Sequence, residues 1–146
     1  MTDNSGYSEL SIGDIVTPES AGVVFDYEAE AAVTKGDPVY FSSDNKVSPA
    51  VAAQDCIGIA MKTVAAGAKV AIAGPGHIVK VKAGGSITRG KAVSGGDASK
   101  RILQLTDQLV NEGGSGNYTV YYNRKMGYAI QASTGADDLI LIYLCR

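Results

Sequence analysis

Two short motifs each occur twice in this chain, in the same order, and this limits the folds open to it. Val33 to Val39 reads V-T-K-G-D-P-V, and Ile87 to Val93 reads I-T-R-G-K-A-V, an offset of 54. Both fit apolar-Thr-basic-Gly-x-x-Val. Gly58 to Ile72 reads G-I-A-M-K-T-V-A-A-G-A-K-V-A-I, and Gly127 to Leu141 reads G-Y-A-I-Q-A-S-T-G-A-D-D-L-I-L, an offset of 69. Each of these carries Gly-x-Ala-apolar, then a Gly-Ala turn, then an apolar strand. Chance likeness between Gly- and Ala-rich stretches is the competing account, and the shared order of two motifs weighs against it. The chain then holds two copies of one β-unit, at about 33–74 and 87–143. The longer second offset puts an insertion within about 94–118.

The glycines have separate jobs in such a unit. Gly36 and Gly90, in Thr-basic-Gly, suit turns that need positive φ, and Gly67 marks the Gly-Ala turn. Gly58 and Gly127, in Gly-x-Ala, suit places where strands approach closely. These five are the candidate structural turn residues.

Period-two alternation fills the intervals. Phe25, Tyr27, Ala29 and Ala31 alternate with Asp26, Glu28 and Glu30, which predicts a strand with one buried face. Short runs follow at Pro38–Phe41, Cys56–Val64 and Lys69–Ala73. From His77 to Ala83, Val79 and Val81 face one way and Ile78, Lys80 and Lys82 the other. Ile102–Glu112 reads as a short helix or as a strand plus turn. Asn117–Asn123 has strong strand propensity. Asp138–Cys145 is apolar on both faces, as in a buried strand. Turn signals every 8–12 residues predict an all-β sandwich or barrel. At 146 residues this is one domain, or two small lobes sharing a core.

Residues 1–22 are polar and acidic and are expected to form a flexible N-terminal arm, ahead of a β-rich domain over 23–146. The start of the chain has neither the basic nor the apolar segment of a signal peptide. No apolar run approaches the ~20 residues of a membrane span, so no membrane partner is expected. Charge is divided along the sequence. Residues 1–30 hold seven carboxylates and no Lys or Arg, whereas residues 62–101 hold eight cations against Asp97 alone. Two solvated faces explain this, or docking of the acidic segment on a basic surface of its own or a neighbouring subunit. A net charge of −2 gives no case for nucleic acid.

The residues of catalysis are not arranged as catalysis needs them. His77 is the one histidine, beside a Gly-Pro-Gly turn, where a turn or surface role is expected. With Cys56 and Cys145 it lacks metal-ligand spacing. Asp137-Asp138 suits a turn before the last strand better than acid–base work. Gly74-Pro75-Gly76 and Gly84-Gly85 are hairpin turns without a following helix, not phosphate loops. Tyr118, Tyr121, Tyr122 and Tyr128 suit a core or a protein interface. No enzyme, cofactor or metal is expected.

Taken together, Thr34-Lys35-Gly36-Asp37-Pro38-Val39, Ile57-Gly58-Ile59-Ala60, Ala65-Ala66-Gly67-Ala68-Lys69-Val70 and Thr88-Arg89-Gly90-Lys91-Ala92-Val93 resemble the head-decoration, or capsid-cement, proteins of tailed bacteriophages. The likeness covers roughly residues 30–95, and Gly127-Tyr128-Ala129 continues it. It implies a β-sandwich or β-tulip-like barrel that forms a homotrimer. It also implies a virion protein made in the host cytoplasm and placed on the outer capsid surface. There it would clamp neighbouring copies of the major capsid protein against internal pressure. The arm would reach a neighbour by strand addition. Tyr7, Leu10, Ile12, Ile15, Val16, Phe25 and Tyr27 are the candidate interface residues.

Two other readings compete. Ala60-Met61-Lys62 followed by a Gly-rich β-pattern is similar to a biotinyl or lipoyl carrier domain, with Lys62 as the modified residue. Thr63 stands where such domains carry Met. A small ligand-binding or adhesin β-sandwich is the third reading.

Overall fold

A computed structural model describes residues 2–106 and 124–145. Ten strands carry the fold among the described residues. β1 (Val24–Ala29), β2 (Pro38–Ser43), β3 (Lys46–Pro49), β4 (Cys56–Ala60) and β5 (Lys69–Ala73) form a closed barrel in the order β1-β3-β2-β4-β5. β6 (Ile78–Lys82), β7 (Ala92–Gly95), β8 (Ile102–Gln104), β9 (Gly127–Ala129) and β10 (Leu139–Leu144) form a second sheet in the order β6-β10-β9-β7-β8. The protein is all-β, and a 3₁₀ turn at Glu19–Ala21 precedes β1.

The two units share one connectivity. Read from its β8 end, the second sheet runs β8-β7-β9-β10-β6, which matches β3-β2-β4-β5-β1 of the barrel. Local hydrogen bonds match as well. Gly36 N–H donates to Ala60 O and Gly90 N–H to Ala129 O, each at 2.8 Å. Val33 and Val64 exchange two main-chain bonds, as do Ile87 and Ser133. Gly36 has φ +96° and Gly90 φ +83°, a region that a side chain disfavours.

The units differ in closure. β1 and β3 pair in parallel, Glu28 with Lys46 and Ala29 with Val47, and seal the barrel. In the second unit the same contact shrinks to one bridge, Ala83 with Ile102. The remaining edge of β6 is therefore open to another chain segment.

Two cores follow. Ala29, Val33, Val39, Val47, Ala60, Val70 and Ile72 fill the barrel. A larger cluster around Val79, Val81, Ile140, Ile142 and Leu144 fills the second unit, and Cys56, Ile59 and Ala73 of the barrel pack into it. The units thus share apolar side chains and form one body. A fully buried Ile stabilises by roughly 1.5–3 kcal/mol.

Several sequence expectations differ from the structure. The strand from Cys56 ends at Ala60 rather than Val64, because Met61 turns out to bond Ala71 and the chain then leaves the sheet. Of the two readings for Ile102–Glu112, its first residues are strand, β8. Of the expected insertion at about 94–118, Ser94 lies within β7 and Ile102–Gln104 form β8, while 107–118 lie outside the described residues. The expected strand at 117–123 lies outside the described residues, as do Tyr118, Tyr121 and Tyr122.

Gly58 and Gly127 hold matching places in β4 and β9. A Cβ on Gly58 would lie 2.0 Å from Ala73 O, and one on Gly127 would lie 1.9 Å from Tyr143 O. No side-chain rotation relieves a clash with backbone. Gly58→Ala and Gly127→Ala are each expected to cost about 2–3 kcal/mol, read as a lower urea midpoint. Gly85→Ala, which has open space around it, is the control and should leave the midpoint unchanged.

Candidate functional site

The segment expected to be a flexible arm is laid along the second sheet. Asp3 bridges Leu139 in parallel, and Asn4 N–H donates to Leu139 O at 2.8 Å. Further on, Ile15 bridges Val79 antiparallel. Gly13 N–H donates to Lys80 O, Lys80 N–H to Asp14 O and Val16 N–H to Ile78 O. Residues 13–16 thus act as an extra strand on the open edge of β6. The physical reason is that edge: its N–H and C=O groups need partners, and the barrel's own mode of closure does not supply them here.

Lys80 fixes the rest of the segment. Alternation points its side chain out of the sheet, yet it is 1% exposed, because residues 3–10 pass over it. Its ammonium donates to Asp3 Oδ2 at 2.7 Å, Tyr7 O at 2.8 Å and Leu10 O at 2.9 Å. All three N–H bonds of the ammonium are used, which a buried cation requires. The Lys80 ammonium, with the Ser5 hydroxyl, brings the Asp3 carboxyl down to about 2. Lys35 similarly lowers Asp14. Asp138 is lowered by the N–H of Thr134 and accepts from Thr2 N–H as well. The acidic segment therefore docks on cations of its own chain.

His77 is not a surface residue. It is fully buried, with Nδ1 2.9 Å from Thr17 Oγ1, under the end of the same segment. Asp137 has φ +68°, in the turn before β10.

The seven candidate interface residues separate. Leu10, Ile12, Ile15 and Val16 are half-buried against the domain, with Ile12 against Gly36 and Ile15 on the second core. Tyr7 keeps its ring exposed while its carbonyl serves Lys80. Phe25 and Tyr27 pack against the barrel core with their rings 6.0 Å apart, and the Phe41 ring stands 5.0 Å from Tyr27, edge to face. Phe41 is 46% exposed. Sequence reasoning did not single out Lys80 or Phe41. The division of charge along the chain was the available signal for Lys80. Among the turn residues, Gly67 has φ +89° in the link before β5. Lys62 is exposed on residues 61–68 between β4 and β5. Among the described residues no group of three His, Cys, Asp or Glu could hold a metal ion, and no helix is long and apolar enough to cross a membrane.

A family model described as "phage cement protein" matches residues 47–144, from β3 to the end of β10. That match defines the class: a structural, capsid-associated protein of a bacteriophage. The chain belongs to the phage cement protein family. Among solved structures, the head fiber gp8.5 N base of bacteriophage phi29 is similar, with a TM-score of 0.53 and 20% identity over 84% of this chain and 92% of that one. At that identity the likeness shows a shared fold. No curated protein matches the chain.

Acid should free the N-terminal segment. Asp3, Asp14 and Asp138 all have lowered values, so their contribution is complete above the ordinary carboxylate value of 3.8. It is lost as pH falls through about 2 for Asp3. Pepsin, active in this range, is expected to cut between residues 5 and 12 as pH drops from 4 to 2, before it cuts the barrel. Lys80→Met should open the same region at neutral pH to a protease and cost about 1–3 kcal/mol, because carbonyls and a carboxylate lose their donor.

Proposed function

We propose that this protein binds the outer surface of a phage head and cements neighbouring major capsid subunits against the pressure of packaged DNA. The observation that carries this is the cement-family match across residues 47–144. The fold shared with a head fiber base suits a place on the outside of a head. A ring cluster that ends in an exposed Phe41 suits contact with another protein. The protein is made in the host cytoplasm, acts as a homotrimer, and needs no cofactor or catalytic group.

Heads of its own virus that lack the protein provide the test. Purified chain should co-sediment with them at a fixed number of copies, and decorated heads should release their DNA at a higher temperature than bare ones. Binding without any gain in head stability would sink the cementing role and leave attachment standing. Native mass spectrometry of the free protein should give three times the subunit mass, and a monomer would remove the trimer from the reading.

A further inference from the structure

Among the described residues, the likeness of the two units exposes a strand edge without a partner. In the second unit, the edge of β6 at Ile78–Lys80 carries residues 13–16 as an added strand. The offset of 54 between the units, seen in the matched pair Ala29 and Ala83, places Val24–Asp26 of β1 at the same position. β1 meets β3 only at Glu28 and Ala29. The β2–β3 hairpin turns at Asp44-Asn45 and does not extend along the earlier part of β1.

The main-chain groups on that side can be assigned. Val23 and Ala29 exchange bonds with the β5 side: Gly74 N–H donates to Val23 O, Val23 N–H to Pro75 O, Ala29 N–H to Ala68 O and Gly67 N–H to Ala29 O. Bonding alternates along an antiparallel pair. Phe25 and Tyr27 therefore also bond β5, and Val24 and Asp26 turn their N–H and C=O outward. In β6 the matching groups are in use: Ile78 O and both main-chain groups of Lys80 by residues 13–16, and Ile78 N–H by Thr17 Oγ1.

Charge completes the comparison. The occupied edge presents Lys80, and the segment upon it is acidic. The β1 edge, unpaired here among the described residues, presents Asp26, exposed, with Glu28 next on the same face. The matching position carries the opposite sign.

We propose that the β1 edge at Val24–Asp26 is a strand-addition site for an extended, cationic segment of the shell protein. The segment would lie antiparallel to β1, donate to Asp26 O and Val24 O, accept from Asp26 N–H, and place a Lys or Arg beside the Asp26 carboxylate. Phe41 would supply apolar contact. This rests on the capsid-binding reading above.

Amide hydrogen exchange of the full chain, free and bound to heads lacking the protein, is the test. In the free protein the Asp26 amide should exchange fast while those of Phe25 and Tyr27 are protected. On heads the Asp26 amide should slow at least tenfold. Asp26→Lys should weaken head binding at least tenfold. Asp26→Pro should do the same, since an edge position with its N–H toward solvent tolerates Pro, and thermal melting checks that both variants fold. Full binding by both variants, with Asp26 still fast, would overturn the edge site and leave head binding intact. Failure of the unaltered chain to bind heads would overturn both readings. Slow exchange at Asp26 in concentrated free protein that quickens on dilution would make a second copy the occupant and overturn the assignment to the shell.

Discussion

The ammonium of Lys80 sets the course of the first ten residues. A cation removed from water needs every N–H answered. Asp3, Tyr7 O and Leu10 O answer it together, so the segment must cross the sheet at this point. Once there, it brings Asp14, Ile15 and Val16 to the edge of β6. A side chain and a strand edge thus need the same stretch of chain, and each makes the other's contact more favourable.

This arrangement explains why two equivalent units end in different shapes. The barrel closes with its own hairpin, through Glu28–Lys46 and Ala29–Val47. The second unit closes with borrowed chain. Shared side chains between the cores, such as Ile59 and Ala73, then tie the self-sufficient unit to the dependent one. The barrel, by contrast, keeps Phe41 and Asp26 of β1 exposed.

Much of the fold was legible because it is local. The bounds of β5 at Lys69–Ala73 coincide with the run read from sequence, the turn at Asp44-Asn45 lies where turn residues fall, and strand alternation identified β1 and β6. The repeat was legible because paired motifs keep their order. Other features depend on distant partners and leave no periodic mark. Lys80 has the pattern of a solvent-facing lysine, and only a segment seventy or more residues away buries it. His77 is hidden for the same reason, by Thr17. The first twenty residues look disordered by composition, since their apolar groups are sparse, yet the opposite charges they need are carried elsewhere in the chain.

The path of that segment also has a consequence for synthesis. The barrel draws its strands from a continuous stretch, Val24 to Ala73, and can close while later codons are still being read. The residues before it emerge first and are completed last, because Thr2 and Asn4 bond to Asp138 and Leu139. Until β10 leaves the ribosome, Thr2 and Asn4 lack their partners and β6 lacks its neighbour on one side. A nascent chain on a crowded polysome is then open, in that interval, to exchanging its leading end with a neighbour's, and the local concentration of newly made copies sets how often it does.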